Sequence, residues 1–483
     1  MRISLSMFFC LFLLLSFSIA TETVHFNSTD STHKPSSICS DNHGGIYVVF
    51  QEKLKDGRSN LYLKRYGELG QGLWNGEEKL IAKNVIINNN NLYMIANKQG
   101  EIFCYWQGYR PGSQASLIRV IKVDIDGNNT WNLNSISTFT TQIDQRFPRL
   151  ICDNTGGCYL FWHGRRIFEA PGGVYMQHLD TAGKSLWSPE NCIFKEAAYE
   201  VMIPTSLVDK KDNLILAWGD RRNDINGYPG QLDLFIQCID KDGKILWKEQ
   251  GNSLVTAIYD QKGLSLLEET NGRYLIAWED YRVLNQIRIY MQEFDVDGKL
   301  SWNKDGIMVP NTDNFDDIKP QLLQNRKNGK IYLVSLAIPG GPYADLLKTE
   351  MIVSTDSGLS FSESQLTITN RISRTEENPG GASIYSVVMD DSGGITYLWA
   401  IDAMIGDELG RGAYLRYLSS NGWLTGKITL ENAFPEKAHR VVKSFLASNN
   451  EVWIVWINWR NPFSGYNAQL FNPSNLVKSK KKK

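Results

Sequence analysis

The stretch WEDYRVLNQIRIYMQEFDVDGKLSW, residues 278–302, decides the fold. It begins at a Trp that ends an apolar run, has an Arg four residues later, passes through IYMQEF, turns at DVDG and ends on a second Trp. Short apolar runs separated by Gly turns predict antiparallel β-strands. Strings of the same design recur along the chain, so the stretch is one copy of an internal repeat.

The apolar run that ends at the first marker occurs eight times. Its last residues are Phe50, Trp106, Trp162, Trp218, Trp278, Ser335, Trp399 and Trp456. The spacings between them are 56, 56, 56, 60, 57, 64 and 57 residues. In seven copies a second aromatic residue follows, and these are Trp74, Trp131, Trp187, Trp247, Trp302, Phe361 and Trp423. The fixed recurrence predicts that these large rings pack between adjacent sheets.

Each unit predicts four short antiparallel strands, and units of this size are the signature of β-propeller blades. The sequence therefore predicts an all-β, eight-bladed β-propeller in one domain over residues 21–477, with seven blades as the alternative count. The eighth unit ends without a Trp-led fourth run. Residues 21–30 contain the strand-like string TETVHF, and we predict that they supply the missing outer strand of the last blade.

The first twenty residues match a signal peptide. Arg2 supplies the positive end, MFFCLFLLLSFSIA the apolar run and Ser18-Ile19-Ala20 the cleavage pattern. The apolar run is short for a bilayer, so no transmembrane segment is predicted after cleavage. The predicted location is secreted or at the cell surface: periplasmic or extracellular in a bacterium, and in the secretory pathway in a eukaryote.

The charge balance excludes one class of partner. The chain has 51 Lys and Arg against 52 Asp and Glu, a net charge of −1. A nucleic-acid binder would carry a basic face, so none is predicted as a partner. The one basic run is the lysine-rich tail 478–483, which we interpret as a solvated terminus.

The cysteines suggest one disulfide and no metal site. Cys152 and Cys158 flank the turn DNTGG and could face each other on a hairpin. In an exported chain these two cysteines could form a disulfide. The strings DIDG, DKDG and DVDG have Gly at position 4, whereas a calcium-binding EF-hand loop has it at position 6, so they predict tight turns. No metal and no cofactor are predicted.

An Arg recurs four residues after the first marker, and Asp220 and Asp280 lie midway in two copies. The favoured interpretation is structural: the Arg pairs with a carboxylate or with carbonyls of the neighbouring blade. The alternative is a ring of guanidinium groups that binds carboxylate or acidic-glycan ligands. The ligand-binding candidates are Arg110, Arg146, Arg166, Arg222, Arg282, Arg460 and the irregular Trp459. The face that would carry them also bears the insertions 337–349 and 401–412.

The string STDSGLSF, residues 354–361, matches Ser-x-Asp-x-Gly-x-x-aromatic. It resembles the Asp box of the bacterial neuraminidase repeat, with Ser354, Asp356, Gly358 and Phe361 as its structural residues. The chain also resembles secreted bacterial propellers with Trp-x-Asp-x-Arg and Ile-Tyr-x-Gln repeats. The resemblance implies a sialidase-like propeller, in which the Asp box forms the turn between the third and fourth strands.

Sialidases use three Arg, a Tyr–Glu pair and an Asp, and the resemblance assigns none of these catalytic roles here. The nearest string to their Arg-Ile-Pro motif is QRFPRL, residues 145–150. Three functions remain open. Binding of an extracellular protein or glycan is favoured; the alternatives are a sialidase-like glycoside hydrolase with a central active site and a structural surface or adhesion protein. Enzymatic activity stays undecided, with binding preferred.

Overall fold

The computed structural model describes only part of the chain. The described residues are 24–26, 28, 30–87, 92–109, 116–131, 143–166, 173–187, 202, 204–224, 231–283, 286–310, 316–325, 327–338, 346–355, 358–361, 366–369, 385–401, 404–405, 408–409, 412–421, 424–425, 428–429, 439–447, 451–458 and 466–473. The predicted signal peptide, the lysine-rich tail, Arg110, Trp459 and Arg460 lie outside them. Within these ranges no helix is long and apolar enough to cross a bilayer.

The described chain is all-β, as predicted, and its first four sheets follow one another along the sequence. Sheet 1 contains β2 (His33–Ser40), β3 (Ile46–Lys53), β4 (Ser59–Tyr66) and β5 (Lys79–Val85), with a 3-10 turn at Trp74–Gly76. Sheet 2 contains β6 (Leu92–Ala96), β7 (Ile102–Tyr109) and β8 (Ser116–Val123). Sheet 3 contains β9 (Ile143–Cys152), β10 (Cys158–Arg166) and β11 (Gly173–Leu179). Sheet 4 contains β12 (Thr205–Val208), β13 (Leu214–Asp220), β14 (Asp233–Ile239) and β15 (Asn252–Val255).

Four further sheets follow. Sheet 5 contains β16 (Gln261–Glu268), β17 (Tyr274–Asp280), β18 (Arg288–Phe294) and β19 (Ile307–Met308). Sheet 6 contains β20 (Asp316–Gln324), β21 (Ile331–Ile338), β22 (Leu346–Thr355), β23 (Gly358–Phe361) and β24 (Leu366–Thr369). Sheet 7 contains β25 (Tyr385–Met389), β26 (Ile395–Ile401), β29 (Gly412–Leu418) and β30 (Ile428–Thr429), and a separate hairpin contains β27 (Met404–Ile405) and β28 (Glu408–Leu409). Sheet 8 contains β31 (His439–Leu446), β32 (Val452–Asn458), β33 (Tyr466–Phe471) and β1 (Val24–Phe26).

The first strand of the chain joins the last sheet. In β1, Val24 lies opposite Ala468 of β33, and Phe26 lies opposite Tyr466. The Phe26 side chain is fully buried, with its ring centroid 4.3 Å from that of Tyr66 in sheet 1. The N-terminal strand therefore pairs with sheet 8 and packs against sheet 1.

Each sheet packs against the next one along the chain. Shared hydrophobic clusters join sheets 1 and 2, 2 and 3, 3 and 4, 4 and 5, 5 and 6, and 6 and 7. Strands β25 and β26 of sheet 7 contact β31 of sheet 8, and a further cluster joins sheet 8 to sheet 1. Within the described residues, the contacts between sheets 1 to 8 therefore form a cycle, in which each of these sheets packs against the sheets before and after it.

The first strands of the sheets lie at the centre. Strand β2 contacts β6 and β31, and contacts run onward from β6 to β9, β12, β16 and β20. Residues of six consecutive sheets line one cavity beside these strands, and we call this central space the axial passage. We call the end where first strands turn into second strands the turn end, and the opposite end, where first strands begin, the bulge end.

The marker Trp residues pack as predicted. The first-marker side chains of Trp106, Trp162, Trp218, Trp278 and Trp399 are all at most 2 % exposed. Four of the second-marker rings bridge neighbouring sheets, since their indole N–H groups donate to a main-chain oxygen in the following unit. These bonds run from Trp74 to Ile125, from Trp131 to Thr181, from Trp187 to Lys241 and from Trp247 to Val296.

A buried Gln explains the recurring Ile-Tyr-x-Gln string. The Gln292 amide accepts the N–H of Trp302 through Oε1 at 3.2 Å and donates to the oxygen of Asn303 at 2.9 Å. Gln177 accepts the N–H of Trp187 through Oε1 and donates to the main-chain oxygen of the same Trp. One amide side chain thus ties the third strand of a unit to its fourth run.

The remaining turn predictions have mixed outcomes. Asp124, Asp240 and Asp295 each accept main-chain N–H groups two and four residues further along, which confirms tight turns at DIDG, DKDG and DVDG. Asp180 accepts the same two bonds in its own turn. At the Asp-box string, β22 and β23 pair with Thr355 opposite Gly358 and Ile352 opposite Phe361. Asp356 lies outside the described residues, so the Asp box itself stays a prediction.

Candidate functional site at the bulge end of the axial passage

The Trp-x-Asp-x-Arg pattern forms a closed hydrogen-bonded unit within one sheet. The Asp280 carboxylate is fully buried; it accepts the Trp278 indole N–H at 2.8 Å and the Arg282 guanidinium at 2.5 and 2.8 Å. The Arg282 guanidinium also lies 4.0 Å from the Tyr290 ring centroid and donates to the oxygen of Asp305. The pairing is structural, but its carboxylate belongs to the same strand end and not to a neighbouring sheet.

The second copy of the pattern has the same geometry. Asp220 accepts the Trp218 indole N–H at 2.9 Å and the Arg222 guanidinium at 2.5 and 2.9 Å. The Arg222 guanidinium lies 3.9 Å from the Phe235 ring centroid and donates to the oxygen of Gln250. Both guanidinium groups donate to acceptors within the protein, so the Arg222 and Arg282 side chains have a structural role.

The other candidate residues separate into two groups. Arg166 lies in β10, but its side chain is outside the described residues, as are Arg110, Arg460 and Trp459. Arg146 is described, and its side chain is 59 % exposed at the start of β9. The structure therefore brings one of the predicted Arg residues to the bulge end with its guanidinium exposed.

Side chains at the turn end already bond to one another. A cavity of about 550 Å³ there is lined by residues of six consecutive sheets, among them Asn42, Lys98, Asn154 and Lys210. Asn42 donates to the oxygen of Asn97, Lys98 to the Asn154 side chain, Asn154 to the oxygen of Asp209 and Lys210 to the oxygen of Glu269. Each bond reaches the next sheet, so these polar groups stabilise the ring and are not free for a ligand.

The sequence did not predict a role for the Asp residues that begin the turns between first and second strands, because these strings were interpreted only as turns. Asp41, Asp153, Asp209 and Asp390 each accept two main-chain N–H groups of their own turn. The other carboxylate oxygen accepts a side chain, for example Tyr274 of the next sheet at 2.8 Å from Asp209. The recurrence of an acid or amide at the first turn position was the signal that could have shown this role.

A second cavity, of about 440 Å³, lies toward the bulge end. Its walls come from first strands and the segments entering them in sheets 2 to 5, including Ile95, Arg149, Met202, Thr205 and Leu264. Apolar surface, two hydroxyl-bearing residues and one cation therefore surround the space. Such a mixture of apolar walls and few polar groups is typical of ligand pockets.

Phe147 stands at the entrance to β9 in a conformation that side chains rarely adopt. Its φ is +54°, and its ring is 59 % exposed. The same bulge position is occupied by Gly263 in sheet 5 and by Lys319 in sheet 6, both with positive φ. The bulge therefore requires a positive φ at this position. This conformation costs a bulky residue about 1–2 kcal/mol more than glycine. The exposed ring lies edge-on to His163, with the two ring centroids 6.0 Å apart.

Hydrogen bonds from sheet 2 hold the start of β9 in place. The Phe147 N–H donates to Gln107 Oε1 at 3.3 Å, and the Gln145 side chain accepts the N–H of Ile118 at 2.9 Å. Asp144 accepts the N–H of Ser116 at 2.7 Å. The backbone that carries Phe147 is thus fixed by the neighbouring sheet, which gives the ring a defined position.

Two Arg residues, Arg146 and Arg149, flank Phe147 in the sequence. Arg146 binds Asp144 through two nitrogens, both at 2.6 Å, and keeps its outer edge in solvent. Arg149 lies 5.8 Å from the Tyr93 ring centroid and bonds weakly to the oxygen of Pro148. Within the described residues no carboxylate forms an ion pair with Arg149, so its planar fork can accept an anionic ligand.

The carboxylate of Glu279 is already hydrogen-bonded within the protein. It accepts the N–H of Lys319 at 2.9 Å and the phenol of Tyr281 at 3.3 Å. Burial and the nearby Glu279 charge raise the pKa of Tyr281 well above its ordinary value, so this phenol stays protonated. Within the described residues no group of three His, Cys, Asp or Glu side chains is arranged to hold a metal ion.

No protein-family model matches the chain, and no curated protein does. Among solved structures it is similar to a polysaccharide lyase, at 11 % identity over 84 % of this chain and 94 % of that chain, with a TM-score of 0.44. An ulvan lyase bound to a saccharide has 11 % identity over 95 % and 98 %, with a TM-score of 0.43. An α-L-arabinofuranosidase of Fusarium graminearum has 11 % identity over 95 % and 99 %, with a TM-score of 0.37.

Proposed function

We propose that the chain is an exported eight-bladed β-propeller of the sialidase-like, Asp-box type that binds an acidic glycan at the bulge end of its axial passage. The eight sheets in cyclic contact support the blade count. The signal-peptide pattern of residues 1–20 supports export, and an extracellular glycan is a partner compatible with that location.

The observation that carries the proposal is the position of Phe147. An exposed aromatic ring in a strained backbone conformation adds little packing, whereas strained residues that the surroundings hold firmly cluster at ligand sites. The ring is large, apolar and rigid, so it offers a flat surface against which a sugar ring can stack.

The charges beside the ring define the ligand class. Arg149 presents a guanidinium without a carboxylate partner among the described residues, and Arg146 exposes one edge of its own. A guanidinium binds a carboxylate in a bidentate manner and remains charged at every physiological pH. A saccharide that carries a carboxylate next to a pyranose face therefore matches the two kinds of group.

The same geometry favours binding over hydrolysis. A retaining glycosidase needs two carboxyl groups about 5 Å apart that reach the substrate. Asp144 pairs with Arg146, and Glu279 accepts bonds from Lys319 and Tyr281, so these two described carboxylates of the bulge end already have partners. The sialidase-like hydrolase remains the alternative, and a structural adhesion role would need no ligand at this site.

The test measures binding of the mature protein to uronate-containing and sialylated oligosaccharides by calorimetry, beside neutral oligosaccharides of the same length. We expect binding of the acidic set only, with a loss of about tenfold or more in Arg149→Gln, because one charge-assisted hydrogen-bond pair contributes about 1.5–3 kcal/mol. The matched control is Lys244→Gln, which removes a charge from an outer turn.

Each result has a distinct meaning. Equal binding of neutral and acidic sugars would contradict the role of Arg149. The absence of measurable binding to any of the glycans would contradict the proposed function. A fluorogenic sialoside is incubated with the same sample. Turnover that Arg149→Gln abolishes would establish the hydrolase alternative in place of a binding protein.

A further inference from the structure

Cys152 and Cys158 face each other across the hairpin of β9 and β10. The two residues are direct partners in the register of the strands. The adjacent pair, Asp153 and Gly157, is joined by a main-chain hydrogen bond of 3.1 Å. Since hydrogen-bonded and non-hydrogen-bonded pairs alternate in an antiparallel ladder, the cysteines occupy a non-hydrogen-bonded pair, where Cα atoms are about 4.5 Å apart.

This position suits a covalent bond between the sulfur atoms. Disulfides span Cα separations of about 4.4–6.8 Å, and directly opposed side chains emerge on the same face of the sheet. Both residues are thiols in this structure. Cys158 is fully buried in the cluster between sheets 2 and 3, and Cys152 is partly exposed at the wall of the turn-end cavity.

We propose that Cys152 and Cys158 form a cross-strand disulfide in the oxidised protein, which closes the turn Asp153–Gly157 at the wall of the turn-end cavity. Two S–H bonds are lost and one S–S bond forms. The two electrons and two protons pass to a small-molecule disulfide such as oxidised glutathione, which leaves as two thiols. Exchange of this kind is available to an exported chain.

The turn that the bond would close connects two sheets. Asp153 accepts the His178 ring at 2.8 Å, and Asn154 donates to Asp209 and Asp212 of sheet 4. A disulfide at the base of the hairpin would therefore fix one joint of the ring at the turn end. This disulfide would lie at the turn end, whereas the proposed glycan site lies at the bulge end. Either proposal can therefore fail without the other.

Burial determines when the bond can form. It raises the pKa of the Cys152 thiol to about 12 and that of Cys158 well above its ordinary value. The thiolate is the reactive species, so the folded dithiol exchanges slowly. The bond is expected to close during folding and, once closed, to resist reduction in the native state.

The experiment uses the full chain produced in an oxidising compartment. After denaturation with an alkylating reagent present, trypsin releases the peptide 150–165, which contains both cysteines. We expect this peptide to be two hydrogens lighter than the dithiol and unalkylated. Cleavage before Asp153 should then yield two peptides joined through sulfur, which separate on reduction.

A stability measurement on matched variants completes the test. The double variant Cys152→Ser/Cys158→Ser and the reduced wild type should both melt about 2 °C below the oxidised protein, since the closed loop is short and the chain long. Cys238→Ser, a buried cysteine of sheet 4, should leave the bond in place. Alkylation of both thiols, or a bond from Cys152 to Cys39, would overturn the proposal. The mass measurement on wild type decides the question even where a variant fails to fold.

Discussion

The indole nitrogen of Trp187 donates a hydrogen bond to the main-chain oxygen of Lys241, 3.2 Å away in the next sheet. The same ring covers the glycine of that turn: a Cβ added at Gly243 would lie 2.9 Å from it. Trp74 and Trp247 contact Gly127 and Gly298 in the same way. One aromatic residue and one turn glycine therefore fix each of these units to the next.

This contact predicts that Gly243→Ala destabilises the protein by about 3 kcal/mol. Gly243 has a φ of +88°, which costs alanine about 1–2 kcal/mol, and the Trp187 ring must also move. Urea unfolding followed by Trp fluorescence measures the loss. The control is Gly272→Ala, with a φ of +84° and no atom within 4 Å, which should lose only the backbone contribution. Equal losses in the two variants would contradict the ring contact.

The sequence predicted the all-β class and the packing of the marker Trp residues, because both follow from residue spacing. It did not predict the partner of Arg282, which is Asp280 two residues earlier and not a group of the neighbouring sheet. The sequence did not predict the positive φ of Phe147, because an apolar residue before Pro148 is typical of an ordinary β-strand. Such features depend on side-chain directions and on hydrogen bonds between sheets, such as that from Phe147 to Gln107, which a single repeat does not encode.

The buried carboxylate of Asp280 supplies a second prediction. Asp280→Asn should destabilise the protein by about 2–3 kcal/mol, because the Arg282 guanidinium loses its ionic partner in a desolvated position. Asp297→Asn, at an exposed turn position, is the control and should be neutral. Adding Arg282→Gln to Asp280→Asn should cost less than the sum of the single changes. Strict additivity in chemical unfolding would show that the two groups do not act together.

The pairing of β1 with β33 predicts a stabilising N-terminal segment. Deletion of residues 21–30 from the mature chain should lower the melting temperature by several degrees, because it removes a strand and the buried Phe26 ring. Phe26→Ala alone should cost about 3–5 kcal/mol. Lys34→Ala, at an exposed position of β2, is the control. Calorimetric scans of the three variants provide the comparison, and an unchanged melt of the deletion variant would contradict the role of the strand.

Glu269 predicts a pH dependence of stability. Its burial and then the charge of Glu293 raise the pKa of this carboxyl group from an ordinary 4.5 to about 7. The folded state therefore binds a proton more tightly than the unfolded state, so this contribution to stability is complete below pH 4.5 and is lost as pH rises to about 7. Arg273 contacts Glu293 and opposes the shift.

Glu269→Gln should remove this loss, so that the variant exceeds wild type by about 2–3 kcal/mol at pH 8 and matches it near pH 4.5. Guanidinium unfolding at a series of pH values measures the difference. The control is Glu268→Gln, the more exposed neighbour, which should follow the wild-type profile. A constant difference between Glu269→Gln and wild type across the range would show that the carboxyl group does not titrate with folding.

Phe147 should separate stability from binding. Phe147→Gly removes the strain of a φ of +54° and an exposed ring, so the variant should be as stable as wild type or more stable by up to about 1 kcal/mol. It should nevertheless lose acidic-glycan binding, since the stacking surface is gone. Tyr259→Gly has a comparable φ of +66° and an exposed ring in the segment that enters β16, away from Arg146 and Arg149 in the sequence, and it should retain binding. Thermal melts and calorimetric titration on the same samples test both expectations. A loss of several kcal/mol in Phe147→Gly would mean that the ring is needed for folding, and unchanged binding would remove it from the site.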